Sequence, residues 1–264
     1  MAEVPELGQI RIIPDFMNYG IANGKTYTSA GNDGYEMFDH RTSSVYTDSG
    51  TGYDYHYLNT SMASGRDKMF IGYGTADNGY FITGTSTKIT SGYTEVINSS
   101  GATGSVDFET TSDYCIATIS SGSSPTGFSI YDSGNASASV IHIGEIFEMP
   151  TNATASLSYN TKYQNKVQTS FSGASYSTLY NKKSQRIIKA SWEYINWSTG
   201  SSGIDDFTTM MNQCFGSHIP VALQLSQETP ITAEHFIFCR ITKWQQTQQS
   251  PNLWKVSAEF TEFI

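Results

Sequence analysis

The side chains able to do acid–base, nucleophilic or metal chemistry are few and far apart in this chain. His40 and His56 lie sixteen residues apart in a Gly- and Ser-rich stretch, His142 falls in a strand-like run, His218 precedes Ile219-Pro220, and His235 follows Glu234. No H-E-x-x-H, G-x-S-x-G or G-x-G-x-x-G-to-helix signature joins them, so each reads as a separate core or surface imidazole. Cys115, Cys214 and Cys239 are odd in number and lack a C-x-x-C spacing, which excludes a disulfide framework and a zinc-finger pattern. Cys214 and Cys239 sit in apolar patterns and read as buried thiols. The segment Gly20-Ile21-Ala22-Asn23-Gly24-Lys25-Thr26 places three residues between its glycines where a phosphate loop has four, and it reads as a Gly-supported turn. Asp48 and Asp54 with Gly50 and Gly52 lack the oxygen ligands that a calcium loop carries at its third and fifth positions, so a solvated turn is expected. The expectation is a protein that is not an enzyme, with no catalytic residue, no cofactor and no metal ligand.

Recognition chemistry is better represented. Tyr53, Tyr55 and Tyr80 stand among Gly, Ser and Asp, a setting that suits stacking on sugar rings and suits packing of protein on protein equally well. Trp192, Trp197, Trp244 and Trp254 lie in strand patterns and are the candidate contacts between subunits, the alternative for each being a place in the core of its own chain.

The composition fits such a role. Charged residues are 15% of the 264, well below the usual quarter, and hydroxyls and amides supply the solubility. Faces of this kind are covered at lower cost than charged ones, because a hydroxyl needs only a hydrogen bond. The net charge is −9, and the largest basic cluster is Lys182, Lys183, Arg186 and Lys189, which argues against specific nucleic-acid binding. Nothing in residues 1–9 resembles an export signal, and no uncharged apolar run approaches 18 residues, so synthesis in the cytoplasm and no membrane partner are expected.

The elements that must carry these groups are strands. From 69 to 147 short apolar runs recur at about ten-residue spacing, at 69–73, 79–83, 93–97, 105–108, 114–119, 128–131 and 140–147, the pattern of a β-sandwich. Residues 17–68 read as turns and weak strands outside a core. Met149-Pro150 marks a boundary where the charge balance changes, with 16 acidic and 6 basic residues before 148 and 8 acidic and 9 basic from there on. Beyond it a long strand over 186–197 places Ile188, Ala190, Trp192 and Tyr194 on one side. A helix over 204–215 follows, with Asp205 and Asp206 in its first turn and Gly216 after its end. Trp254, Val256, Ala258 and Phe260 then alternate with polar residues, the clearest period of two in the chain. The expected fold class is all-β: an arm or elaborated edge at 1–68, a jelly-roll-like sandwich at 69–148, and a second β domain with one flanking helix at 149–264.

Two stretches resemble a known family. Ala136-Ser137-Ala138-Ser139-Val140-Ile141-His142-Ile143-Gly144-Glu145-Ile146-Phe147 resembles the terminal strand of a discoidin-like jelly-roll insert in minor tail proteins of tailed bacteriophages. Lys183-Ser184-Gln185-Arg186 leading into Ala190-Ser191-Trp192-Glu193-Tyr194, the helix, the strand at 220–225, and Trp254-Lys255-Val256-Ser257-Ala258-Glu259-Phe260-Thr261-Glu262 resemble the distal tail type of domain, similar in fold to the tail tube protein. The resemblance implies a tail-tube-like β-barrel or sandwich at 149–264 and a six-membered homo-oligomeric ring at the distal end of the tail. The implied partners are tail tube, hub, tape-measure or tip proteins, with DNA passing the lumen unbound and the virion tail as the location. A carbohydrate- or host-surface-binding sandwich, itself on the virion, is the alternative expectation.

Overall fold

The computed structural model describes residues 9–30, 35–38, 40, 46–47, 52–74, 78–98, 108–109, 114–132, 137–148, 158–169, 175–196, 204–216, 218–227 and 235–263. They form an all-β architecture of three antiparallel sheets with two short α-helices. In chain order β1 (Arg11–Pro14) leads into α1 (Phe16–Ala22), followed by β2 (Tyr27–Ala30), a 3-10 turn (Tyr35–Phe38), β3 (Tyr46–Thr47) and β4 (Gly52–Leu58). Next come β5 (Lys68–Gly74), β6 (Asn78–Thr83), β7 (Thr87–Lys88), β8 (Tyr93–Asn98), β9 (Phe108–Glu109), β10 (Tyr114–Ile119), β11 (Gly127–Asp132), β12 (Ser137–Glu145) and β13 (Phe147–Glu148). The remainder comprises β14 (Ser158–Thr169), β15 (Ser175–Asn196), α2 (Ile204–Gln213), β16 (Val221–Gln224), β17 (Phe236–Ser250) and β18 (Leu253–Glu262). Among the described residues no helix is long and apolar enough to cross a membrane.

The sheets stack in three layers. The middle one has the order β3-β12-β5-β10-β8 and is apolar on both faces. Phe70, Ala117, Ile141 and Ile143 pack against Leu58, Phe81, Phe128 and Ile130 of the six-stranded sheet β2-β4-β11-β6-β7, which carries β9 beside β6. Met69, Ile71 and Ile116 point the other way, onto Ile13, Ala222 and Phe236 of the seven-stranded sheet β13-β1-β16-β17-β18-β15-β14. That third sheet buries its far side under α2, where Trp192, Ile195, Phe207, Met210, Val256 and Phe260 meet. All three sheets are open, and no barrel closure occurs among the described residues.

The strands expected between 69 and 147 coincide with β5, β6, β8, β10, β11 and β12; of the run expected at 105–108, residues 105–107 lie outside the described residues and Phe108 opens the two-residue β9. Residues 17–68 are a correction. Met17, Met37, Phe38, Tyr46, Leu58 and Met62 are buried in the core, and β2 and β4 belong to the six-stranded sheet. Each turn-bounded piece supplies only one or two core side chains, too few for a local period to show. β1 lies between β13 and β16, so the start of the chain is paired into the seven-stranded sheet.

Two local features invert what alternation predicts. The register of β15 against β18 shifts between Trp192 and Ile195, and Tyr194 there adopts φ 61°. This bulge turns Tyr194 outward, 66% exposed, and gives its inner place to Ile195. Helix α1 is the second: Asp15 caps it by accepting the Asn18 N–H at 3.0 Å, and Gly24 at φ 71° closes the following turn. The Gly-supported turn is present, but Gly20 lies inside the helix. α2 ends at Gln213 and is stopped by Gly216 at φ 72°, with Phe207, Met210, Met211 and Cys214 buried beneath it.

Gly144 sets the distance between the middle and seven-stranded layers. A Cβ added there would lie 2.0 Å from the Pro14 carbonyl oxygen and 2.8 Å from Ile13 Cγ2. Gly144→Ala must therefore push β12 from β1, and we expect a loss of about 1–3 kcal/mol, read as a lower urea midpoint at unchanged slope. A variant as stable as the parent would show that the two layers slide freely.

Candidate functional site

The layer boundary next to Gly144 holds one polar cluster in an otherwise apolar interface. β1 delivers Asp15 to the start of α1, where its backbone N–H donates to the Pro220 carbonyl at 3.0 Å. β12 delivers His142, which replaces an aliphatic residue on the face that carries Val140. His40 enters from the segment after the 3-10 turn, with φ 59°. All three are buried, and Phe238 and Phe263 lie against the His40 ring at centroid distances of 5.4 and 5.8 Å.

The hydrogen bonds fix the proton positions. His142 Nε2 is 2.8 Å from the Ile13 carbonyl oxygen, so it carries a hydrogen and donates. Burial drives the His142 pKa down to about 4 against the pull of Asp15, so the ring is neutral near pH 7 and Nδ1 is an acceptor. His40 Nε2 lies 2.9 Å from that Nδ1 and 3.0 Å from Asp15 Oδ2. Both neighbours accept, and His40 Nε2 supplies the shared hydrogen. Burial alone would raise the Asp15 carboxyl, but the His40 hydrogen bond, the charges of His142 and His40, and the Asn18 N–H hold it below its ordinary value. Asn18 Nδ2 also donates to Asp15 Oδ2 at 3.1 Å and to the Phe38 carbonyl at 3.0 Å. His40 Nδ1 is buried with no hydrogen-bond partner.

The reading of the histidines as unrelated imidazoles is thus corrected for this pair. No short-range spacing could have revealed it, since His40 and His142 are separated by 102 positions. The available signal was His142 itself, a titratable group on the buried face of an apolar strand. His56 is buried elsewhere and meets Tyr27 Oη at 2.7 Å, whereas His218 is exposed. Asp54 accepts the Tyr46 hydroxyl at 2.6 Å, and Asp48 lies outside the described residues. A second polar tie crosses the layers at Glu145, which takes Arg66 at 3.7 Å, the Ala63 N–H at 3.0 Å and Gln213 of α2 at 3.4 Å.

Tyr53, Tyr55 and Tyr80 come together as neighbours, but Tyr80 is buried, a correction to its expected surface role, while Tyr53 and Tyr55 are half-buried. Tyr53 stands 6.1 Å from Tyr55, 6.0 Å from Tyr80 and 4.6 Å from Tyr131, and Lys88 Nζ sits 3.8 Å above the Tyr53 ring. Ser129 pairs with both Tyr55 and Tyr80, which puts its buried, unbonded hydroxyl on the same sheet face. The tryptophans divide. Trp192 is 0% exposed and fills the core of its own chain, so its side chain has no surface for another subunit, a correction to its expected role. Trp254 is half-buried against that core, Trp244 is 47% exposed beside Phe207, and Trp197 lies outside the described residues. In the basic cluster, Arg186 Nε bonds Glu262 at 2.8 Å and Lys189 reaches Glu259 at 3.5 Å, so these two cations are spent within the sheet. Cys115, Cys214 and Cys239 are buried free thiols.

No protein-family model matches this chain, and no curated protein matches it either.

Acid should loosen the layer boundary. The unfolded chain protonates His142 near its ordinary 6.5 while the fold refuses that proton until about 4, so stability is complete above pH 6.5 and falls as pH drops through this window. Asp15, held low, adds a further loss below its ordinary 3.8. The His142 share reaches about 3 kcal/mol at pH 4. Urea midpoints measured from pH 7 to 4 should decline, and His142→Asn should flatten the upper part of that slope; midpoints that rise on acidification would refute the assignment.

Proposed function

We propose that this chain is a structural component of a bacteriophage tail, one copy in a homo-oligomeric ring at the distal end, with a tail-tube-like seven-stranded sheet carrying a jelly-roll-like sandwich. The observation that carries the assembly reading is a projecting ribbon. β15 pairs with β18 only from Ile187 onward, while its earlier part, from Ser175, is bonded to β14 alone. At roughly 3.3 Å per residue this two-stranded extension reaches about 35 Å past the sheet. A lone two-stranded ribbon is marginally stable in water, and a second copy lying against it removes that cost.

The edge of the sheet supports the same reading. β14 is 12 residues long and has no further strand beside it among the described residues, which leaves a template for pairing. An open groove of about 760 Å³ along β15, β17 and β18, lined by Trp244, Lys189, Ala258 and Glu259, offers a different surface to receive it. Donor edge and acceptor groove are different surfaces of one sheet, and a contact between them is heterologous, the type that closes rings by rotation. The near-neutral balance of residues 148–264, with 8 acidic and 9 basic side chains, suits a lumen that passes DNA without holding it. Tail tube, hub, tape-measure or tip proteins are the neighbours this reading entails.

The tyrosine cluster favours a second role on the same particle, contact with host-surface carbohydrate through Tyr53 and Tyr55. Both rings are half-buried, and Lys88 Nζ over the Tyr53 ring sets a cation beside that stacking face, while buried Tyr80 backs Tyr53 from within the sheet.

Two measurements test these roles. Mass measurement across a concentration series, followed by imaging, should find rings for the parent and monomers once residues 163–184 are replaced by a tight turn. A parent that is monomeric at its highest soluble concentration, or rings that persist without the ribbon, would remove the assembly argument. On immobilised host glycans, Tyr53→Ala and Tyr55→Ala should each weaken binding by about tenfold. Equal binding by parent and variants would dispose of the second role and leave the first standing.

A further inference from the structure

The geometry points to a binding site for one divalent first-row transition ion, zinc foremost, formed by Asp15, His40 and His142 at the boundary of the middle and seven-stranded sheets. The inference is independent of the tail reading. Three donor atoms from three separate segments converge there: Asp15 Oδ2, His40 Nε2 and His142 Nδ1, with separations of 3.0, 2.9 and 3.5 Å. A zinc ion with bonds of about 2.1 Å reaches all three from a point roughly 1 Å off their plane. Without an ion, one His40 hydrogen serves both His142 Nδ1 and Asp15 Oδ2, the latter also accepting the Asn18 Nδ2–H at 3.1 Å.

The outer atoms of two of the three ligands are arranged as metal ligands require. His142 donates Nε2–H to the Ile13 carbonyl, which fixes its ring and leaves Nδ1 free for an ion. Asp15 Oδ1 is held by the Asn18 N–H at 3.0 Å, which aims Oδ2 into the cluster. His40 is the member least supported by the protein itself. It adopts a left-handed φ of 59°, and its buried Nδ1 has no partner. A bond from Nε2 to a cation offsets the backbone strain, while Nδ1 keeps its hydrogen with no protein acceptor.

Charge and softness narrow the ion. Two imidazoles and a single carboxylate suit zinc and its first-row neighbours, whereas calcium and magnesium require more oxygen ligands. A dication also compensates a carboxylate that is wholly enclosed. Three protein ligands leave the fourth tetrahedral position to water. Its role is that of a rivet. Positions 15, 40 and 142 are far apart in the chain, so one ion closes two long loops and locks β1 and α1 to β12.

The test uses the full chain, purified without chelator after growth with zinc. Elemental analysis should find about one zinc per chain after gel filtration, and removal by chelator should lower the melting temperature by several degrees, restored by zinc but not by magnesium. Cobalt(II) added to the stripped protein should give visible absorption bands of a four-coordinate site. Asp15→Asn keeps a good helix cap but weakens the ligand, and His40→Gln removes one; each should bind zinc at least about tenfold more weakly with an unchanged circular dichroism spectrum. A folded parent that takes up no zinc or cobalt, or variants that bind as the parent does, would overturn the site and leave a hydrogen-bonded Asp-His-His chain. Should either variant fail to fold, the ring-nitrogen NMR signals of the parent decide: zinc must shift His142 Nδ1 and His40 Nε2, and unmoved signals overturn the proposal.

Discussion

A sheet that is buried on both faces must be apolar on both, and it can exist only where two other layers cover it. The five strands around β5 and β12 meet this condition, with Phe70 facing the six-stranded sheet while Met69 and Ile71 face the seven-stranded one. Every other part of the fold is arranged to satisfy it. The six-stranded sheet completes one core, and β1, β16 and β17 complete the second. α2 then seals the remaining face of the outer sheet. The middle and six-stranded sheets draw only on strands between Tyr27 and Glu145, whereas the seven-stranded sheet joins β1 from the start of the chain to the strands from Phe147 onward.

Placing ionisable groups at the second of these boundaries is costly, since each must be neutral or fully partnered. Asp15 has hydrogen bonds from Asn18 and His40, and His142 has one on each ring nitrogen, so most of the cost is met within the cluster. The arrangement also gives the boundary something that apolar packing lacks. Hydrophobic contact tolerates sliding, whereas a short chain of directed bonds between β1, the 3-10 turn region and β12 defines one register. Gly144, beside this cluster, lets the backbones approach closely enough for those bonds to form.

The β14–β15 ribbon leaves the seven-stranded sheet at its outer edge, while Tyr53, Tyr55 and Tyr131 lie on β4 and β11 of the six-stranded sheet. The proposed subunit contacts and the proposed sugar contacts thus lie on different outer layers, with the middle sheet between them.

Much of this was legible in the residues alone, and the legible parts share a cause. Alternation at Val256, Ala258 and Phe260, the runs that became β5, β6, β10 and β12, and the apolar stripe Phe207, Met210, Met211 and Cys214 are local periods imposed by one buried face. What tertiary structure alone decided depends on pairings between distant segments. Tyr194 points outward because a bulge against β18 breaks the alternation, and Met37, Phe38 and Tyr46 enter a core that no nearby residue announces. Trp192 fills the interior and Trp244 does not, although both lie in strand-like sequence. His40 and His142 met only because the middle sheet carried His142 against the end of β1. A chain specifies such a site through the packing of whole layers, and spacing along the sequence holds no trace of it.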